Sequence, residues 1–294
     1  MNTQFPTIAI LGRHEDSRVA GPMQSVTEHL TKAGISVLAS TRMKLDLPVT
    51  RMDEADLCER ADLVIAIGGD GTMLHASRLA RESGTPILGI NRGRLGFLAD
   101  VTPDEMIATV EQVLDGDFTR DKRMLLKAHL IKESGEESVA YALNDVVLKR
   151  RETGRMVDFS TRVDGAFANT HSGDGLIVAT PTGSTAYSLS CGGPIIAPQL
   201  DAIVVVPVCP HTLTDRPVVI PASQSIEIVL LERDSTTASI TIDGRPMGRI
   251  RPIDRLVISA ADQRITLVHP LSYDFYEILR SKLFWGRDSR NRQN

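Results

Sequence analysis

The chain has 294 residues, 42% hydrophobic and 24% charged, with a net charge of -4. These are the values of an ordinary globular protein long enough for two domains, and the charge balance makes no case for DNA or RNA as partner. No apolar run approaches the ~20 residues that span a bilayer.

Met1 to Pro6 lacks the basic and apolar regions of a signal peptide. Cys58, Cys191 and Cys209 are widely spaced without a CxxC pair, and the histidines show no zinc spacing. A reduced, cytoplasmic protein with no protein-bound metal is the expectation.

Thr7 to Leu11 is a short apolar strand ending at Gly12. Val19 to Ala33 reads as a helix with Val26 and Leu30 on one face, Gly34 as its cap and Pro22 in its first turn, where proline is tolerated. Ile35 to Ser40 is a second strand. Thr41 to Arg60 shows little periodicity and reads as a loop with some helix near its end. Leu63 to Ile67 is a continuous run of branched apolar residues, suited to a strand buried on both faces. Gly68-Gly69-Asp70-Gly71-Thr72 follows. Met73, Ala76, Ser77 and Ala80 then repeat at helical spacing, with Thr72 as N-cap and Gly84 as terminator. Pro86 to Ile90 is another strand, running into Asn91 to Phe97. Thr102, Pro103 and Glu105 begin a helix that reaches about Leu114 and closes at Gly116. Strands alternating with helices imply a parallel sheet covered on both faces, hence a Rossmann-like α/β domain over residues 1–120.

The pattern changes near Phe118. Met124 to Lys132 and Val139 to Arg150 flank a hairpin turn at Ser134-Gly135, and Phe159 to Val163 and Phe167 to Thr170 flank another at Asp164-Gly165. Ala202 to Val208, Pro217 to Ile220, Ile226 to Leu231, Ser239 to Ile242, Leu256 to Ser259 and Ile265 to Val268 continue the series of short strands. Such spacing predicts an all-β sandwich over residues 121–270. Phe275, Ile278, Leu279 and Lys282 return to helical spacing. Residues 271–294 are therefore a C-terminal helix that packs back on the first domain and a polar, disordered tail.

Three stretches carry chemistry. A strand, a glycine turn and a helix around Asp70 form the physical recipe for holding phosphate: glycines let the backbone approach, and the helix start offers free N–H groups. Asp70 would repel phosphate, so it either holds a cation or takes a proton from the attacking group. The plainer alternative is an ordinary Asp-Gly turn. Asp174 to Pro194 breaks from an apolar strand at Pro181 into Thr182, Gly183, Ser184 and Thr185. A helix capped by Ser184 or Thr185 then starts at Ala186. The absence of charge after Asp174 suits an uncharged planar ligand such as adenine, read by backbone groups and the Tyr187 ring; a polar turn with Tyr187 in the core is the competing account. Asn144 and Asp145 lie inside an apolar strand and point to opposite faces, so one of them needs a ligand or a turn as partner. An amide beside a carboxylate matches a ribose diol; a bulge is the alternative.

Together these stretches resemble the NAD kinases. Gly68 to Thr72 is similar to that family's glycine-rich motif, Asn144-Asp145 to its Asn-Glu/Asp pair, and Thr180 to Ser190 with Gly192 to Pro194 to its nucleotide signature. Asn91 to Phe97 and His211 to Pro217 fit it as well. The resemblance runs from about residue 60 to 275. It implies transfer of the terminal phosphoryl group of ATP to the 2′-hydroxyl of NAD's adenosine ribose, giving NADP. It makes Asp70 the base; Gly68, Gly69, Gly71 and Thr72 the phosphate-binding residues; and Asp70, Gly71, Asn144, Asp145, Arg155, Asp174, Thr185, Ala186, Tyr187, Ser188, Leu189, Ser190 and Arg245 the NAD-binding set. Relatives often carry Gln at the position of Arg245. Magnesium enters with the nucleotide, held by phosphate oxygens and water, and a homo-oligomer, a tetramer before a dimer, is implied. Two rivals share features: a lipid kinase of the diacylglycerol-kinase-like superfamily, which has the glycine motif, and a non-catalytic NAD sensor, which would not need Asp70.

Overall fold

The computed structural model describes residues 3–13, 15–43, 46, 48–93, 96–150, 156–231 and 237–284. The chain forms two compact units, one of residues 1–122 with 265–294, the other of residues 123–264. Arg155 and the tail 286–294, both given roles or states by the sequence, lie outside the described residues.

The first unit runs β1 (Thr7–Gly12), α1 (Ser17–Lys32), β2 (Ser36–Ser40), β3 (Thr50–Met52), α2 (Glu54–Arg60), β4 (Leu63–Gly68), α3 (Asp70–Ala80), β5 (Ile87–Asn91) and α4 (Met106–Asp115). Its strands pair in parallel in the order β3-β2-β1-β4-β5. All six residues of β4 are buried, as its apolar run required. Val19, Met23, Val26 and Leu30 of α1 pack with Val110, Val113 and Leu114 of α4 in one core cluster. The order reverses between β1 and β4. That reversal opens a crevice at their carboxyl ends, the place where doubly wound sheets bind ligands.

Two details differ from the sequence reading. Helix α1 starts earlier than Val19, because the Asp16 carboxylate caps it by accepting the Arg18 N–H at 3.1 Å. Pro22 therefore sits inside the helix, two residues deeper than expected. In the stretch Thr41 to Arg60 the expected helix is α2, but the three-residue β3 was missed, being too short to show alternation.

Strand β6 (Phe118–Ile131) carries the chain from the first unit into the second. There follow β7 (Glu137–Ala142), β8 (Asp145–Arg150), β9 (Val157–Val163), β10 (Ala166–Gly173), β11 (Gly175–Ala179), a 3-10 turn (Thr182–Thr185), the one-turn α5 (Tyr187–Ser190), β12 (Ala202–Val208), β13 (Val218–Pro221), β14 (Ile226–Leu230), β15 (Ala238–Ile242) and β16 (Arg245–Ile250). One sheet is ordered β13-β12-β11-β8-β15-β16. In the other, β9 lies between β10 and β14, and β6 pairs β7. Alternate residues of both sheets, among them Leu126, Val146, Phe159, Val178, Ile240 and Ile258, share one core, which is the sandwich the spacing of the strands predicted. Strand β17 (Arg255–Pro270) pairs β14 through Leu256 and Ile258, then returns to the first unit, where Leu267 and Val268 pair β5 in parallel. The two short strands expected here are thus one. Helix α6 (Phe275–Leu283), capped by Asp274, also belongs to the first unit.

Candidate active site

In the first unit the candidate residues gather at the carboxyl end of the sheet. Helix α3 begins at Asp70 with Gly69 as N-cap, three residues before the cap position expected at Thr72. The reason is local. The Thr72 side chain lies over the Cα of Gly68, leaving no space there for a Cβ, and its backbone N–H already bonds the Gly69 carbonyl at 2.8 Å. A glycine cap supplies no side-chain acceptor for the first-turn amides of Asp70 and Gly71.

Asp70 is tied down by the segment after β5. Its Oδ1 accepts the N–H groups of Leu98 at 3.1 Å and Ala99 at 3.4 Å, and its Oδ2 accepts that of Phe97 at 3.2 Å. Gly96 permits this approach, since a Cβ there would overlap Oδ1. A carboxylate offers about four lone-pair directions. Three are used, and the free one is on Oδ2. Asp16, the N-cap of α1, adds a charged corner that the sequence did not signal. It pairs Arg18 at 3.0 Å and Arg92 at 2.7 Å, and the Arg18 guanidinium holds its carboxyl down at about 2. Of the stretch Asn91 to Phe97, residues 94 and 95 lie outside the description; Asn91 is buried and its Oδ1 accepts the Gly93 N–H at 2.7 Å.

In the second unit Asn144, Asp145, the segment Thr182 to Ser190 and Arg245 lie where β8 begins and β11 and β15 end, whereas Asp174 lies at the other end, just before β11 and beside Arg150 at the end of β8. The apolar strand expected from Ala142 to Leu148 is broken. Leu143 and Asn144 form a bend between β7 and β8, and only Asp145 belongs to a strand. The bend arises because the amides of Leu143, Asn144 and Asp145 all turn toward the Asp243 carboxylate, at 2.8, 2.8 and 3.1 Å. Asp145 is 6% exposed. Burial, reinforced by the charge of Asp243, pushes its carboxyl up to about 7. Burial also raises the Asp243 carboxyl, against the three amide bonds that favour its ionised form.

The segment after β11 is fastened to the same bend. Thr180 donates its hydroxyl to the Leu143 carbonyl at 2.5 Å and its N–H to the Asn144 carbonyl at 2.9 Å. Gly183 lies against the Asn144 backbone, where a Cβ would sit 2.6 Å from Asn144 Cα. Ser184 and Thr185 do not cap the following helix. They are part of the 3-10 turn, where the Ser184 hydroxyl donates to Pro181 O at 2.6 Å and accepts Ile196 N–H at 3.0 Å, and Ala186 is the cap of α5. Tyr187 and Ser190 are exposed and Thr185, Ala186 and Leu189 half-buried. Ser188 is fully buried, its hydroxyl packed against Gly193 with no hydrogen-bond partner. Asp174 is paired with Arg150 at 2.7 Å, and Arg245 is exposed directly after the Asp243-Gly244 turn. Buried Arg123 donates to Thr182 Oγ1 at 3.2 Å and braces the turn from beneath. Sequence reasoning missed Thr180, Asp243 and Arg123 as supports, because each acts on a segment far along the chain.

Comparison with known proteins gives a consistent result. The model of the ATP-NAD kinase N-terminal domain matches residues 8–118 and that of the ATP-NAD kinase C-terminal domain residues 143–270. The chain is 41% identical over 290 residues to the NAD kinase of Nitrosococcus oceani, covering 98% of this chain and 99% of that one. It is 41% identical over 286 residues to the NAD kinase of Pseudomonas entomophila, covering 96% and 97%. Among solved structures it is similar to yeast NADH kinase complexed with NADH, with a TM-score of 0.89, 25% identity and coverage of 98% and 89%. An NAD kinase from Archaeoglobus fulgidus in complex with ATP shares the fold, with a TM-score of 0.75, 23% identity and coverage of 95% and 98%.

Proposed function

The chain belongs to the ATP-NAD kinase family, and on that premise we propose that Asp70 is the group that receives the proton when the 2′-hydroxyl of NAD's adenosine ribose takes the terminal phosphoryl group of ATP. The reaction class is phosphoryl transfer: the ribose oxygen bonds to the γ-phosphorus, the bond from that phosphorus to the β-γ bridging oxygen breaks, ADP leaves, and the hydroxyl proton goes to the carboxylate. The relatives give no support to a lipid kinase or to a sensor without chemistry.

One observation carries the assignment. Asp70 heads a helix among glycines, and three backbone amides fix its carboxylate while one lone pair of Oδ2 stays free. A sugar hydroxyl is a weak nucleophile, so orientation and proton acceptance by a fixed group are what the protein can add. Gly68, Gly69, Gly71 and Thr72 form a glycine turn and a helix N-terminus from which phosphate oxygens gain. Asn144 and Asp145 take the ribose diol; Thr185, Ala186, Tyr187, Leu189 and Ser190 line the adenosine. Asp174, held by Arg150, is assigned to the nicotinamide half of an NAD bound mainly by a neighbouring subunit, and Arg245 to NAD binding.

The divalent ion, Mg²⁺, is read as part of the MgATP substrate, neutralising charge on the phosphates. No helix among the described residues is long and apolar enough to cross a membrane. We place the enzyme in the cytoplasm as a homo-oligomer, a tetramer before a dimer. Exposed Phe167 and Leu213 on the second unit are consistent with contact between copies.

The test is NADP formation from NAD and ATP, read with an NADP-specific dehydrogenase. Asp70→Asn lowers turnover by ~10²–10⁴-fold, the span of a general base, with little change in KM for NAD. Turnover near that of the unmodified enzyme would remove Asp70 from this role.

A further inference from the structure

Asp243 has no role in the assignments above, yet it makes three hydrogen bonds to the bend that carries Asn144 and Asp145. Asp243 and Gly244 have φ of 47° and 74° and join β15 to β16. A two-residue hairpin of this kind is served as well by Asn-Gly as by Asp-Gly, so the turn alone does not call for a negative charge. The charge is used on the other side. Oδ2 accepts the N–H of Leu143, and Oδ1 those of Asn144 and Asp145. In return the N–H of Asp243 donates to the Asp145 carbonyl at 3.0 Å.

Thr180 completes the set by bonding the carbonyls of Leu143 and Asn144. All six backbone polar groups of residues 143–145 are therefore satisfied before any ligand arrives. Only the side chains of Asn144 and Asp145 are left for recognition, and they project from a bend that cannot relax without orphaning an amide. An acceptor-only group is what three converging N–H donors need. An amide side chain in its place would present NH₂ to one of them.

We propose that Asp243 is a positioning residue for NAD, its carboxylate holding residues 143–145 in the shape that presents Asn144 and Asp145 to the ribose diol. This rests on the assignment of those two residues to NAD made above. The burial-raised carboxyl of Asp145 agrees with it, since the fixed charge of Asp243 lies close by.

Steady-state kinetics on the full-length enzyme test the idea, with NAD and ATP varied separately in Asp243→Asn, Asn144→Ala, Asp145→Asn and the double variant Asp243→Asn with Asn144→Ala. We expect Asp243→Asn to raise KM for NAD at least tenfold while KM for ATP stays within twofold. In the Asn144→Ala background it adds less than threefold, because its effect passes through that side chain. A merely structural role would instead move both KM values together, or lower only the melting temperature. If Asn144→Ala and Asp145→Asn leave KM for NAD unchanged, the NAD assignment is wrong and this inference falls with it. If they raise it and Asp243→Asn does not, the assignment stands and the inference alone is overturned. Should Asp243→Asn fail to fold, hydrogen exchange of the unmutated enzyme decides. Slow exchange of the amides of residues 143–145 without NAD supports a preformed bend; exchange at the rate of an unstructured chain, slowing only when NAD is added, overturns it.

Discussion

Replacing Gly183 by alanine probes the contact on which the second half of the site depends. The added Cβ would stand 2.5 Å from the carbonyl carbon of Asn144 and 2.6 Å from its Cα, and closer still to its oxygen. All three are backbone atoms, so no side chain can swing aside. Restoring an ordinary carbon–carbon separation of ~3.5 Å requires a retreat of ~1 Å. A shift of that size stretches the 2.9 Å bond from Thr180 N–H to the Asn144 carbonyl past hydrogen-bonding range. Overpacking of this kind costs about 1–3 kcal/mol, and the lost bond adds about 1 kcal/mol. The melting temperature should fall by roughly 5–10 °C. Because ~1 Å of misplacement can cost ~10²-fold in rate, kcat/KM for NAD should fall by about that factor, with KM for ATP much less affected. Thermal unfolding followed by circular dichroism and the coupled NADP assay measure the two effects. Gly21→Ala is the control: nothing lies within 4 Å of its added Cβ, it is exposed in the body of α1, and the change should stabilise by about 0.5–1 kcal/mol. A Gly183→Ala enzyme as stable and as active as the unmodified one would refute the claim that the 3-10 turn and the Asn144 bend are locked backbone to backbone.

Gly96→Ala should displace the Asp70 carboxylate, whose Oδ1 occupies the space a Cβ would take; kcat is expected to fall at least tenfold with KM for NAD little changed, and an unchanged kcat would show that the carboxylate's position does not matter. Asp145 predicts a pH effect on stability. Its carboxyl ionises near 3.8 when unfolded but only at about 7 when folded, so the native state binds the extra proton between those values. The stabilisation is complete below about pH 4 and is lost as pH rises to 7, amounting to up to about 4 kcal/mol. Asp145→Asn should flatten this slope in urea unfolding at pH 5 and pH 8, and an equal slope in both proteins would contradict it. Cys58, whose thiol burial pushes up to about 12, should remain unmodified by a thiol reagent that labels exposed Cys209 in the folded protein; mass spectrometry of the labelled peptides reads the difference.

Much of the architecture was legible because its signals are local. The apolar run Leu63 to Ile67 followed by glycines specified β4, the turn and α3 within one short stretch, and Asp164-Gly165 and Ser134-Gly135 marked the β9–β10 and β6–β7 hairpins. The errors share a physical origin in partners distant along the chain. Asn144 looked like a residue of a strand because nothing nearby reveals that Asp243 draws its amide away. Leu256 to Ser259 and Ile265 to Val268 looked like two strands because the residues between them are polar and partly exposed, although the backbone continues through them as β17. The start of α3 was misplaced for a simpler reason: a glycine cap leaves no side-chain signature.

Strands β6 and β17 make residues 123–264 an uninterrupted insertion between two pieces of the other unit. During synthesis that insertion emerges whole before Leu267 and Val268 exist to pair with β5. At ribosomal speeds the delay is roughly 10–30 s, and throughout it Ile87 and Leu88 lack the neighbour that β17 later supplies. The nascent polypeptide is therefore most open to mispairing while its later-made portion is already folding, and assistance from chaperones would count most in that interval.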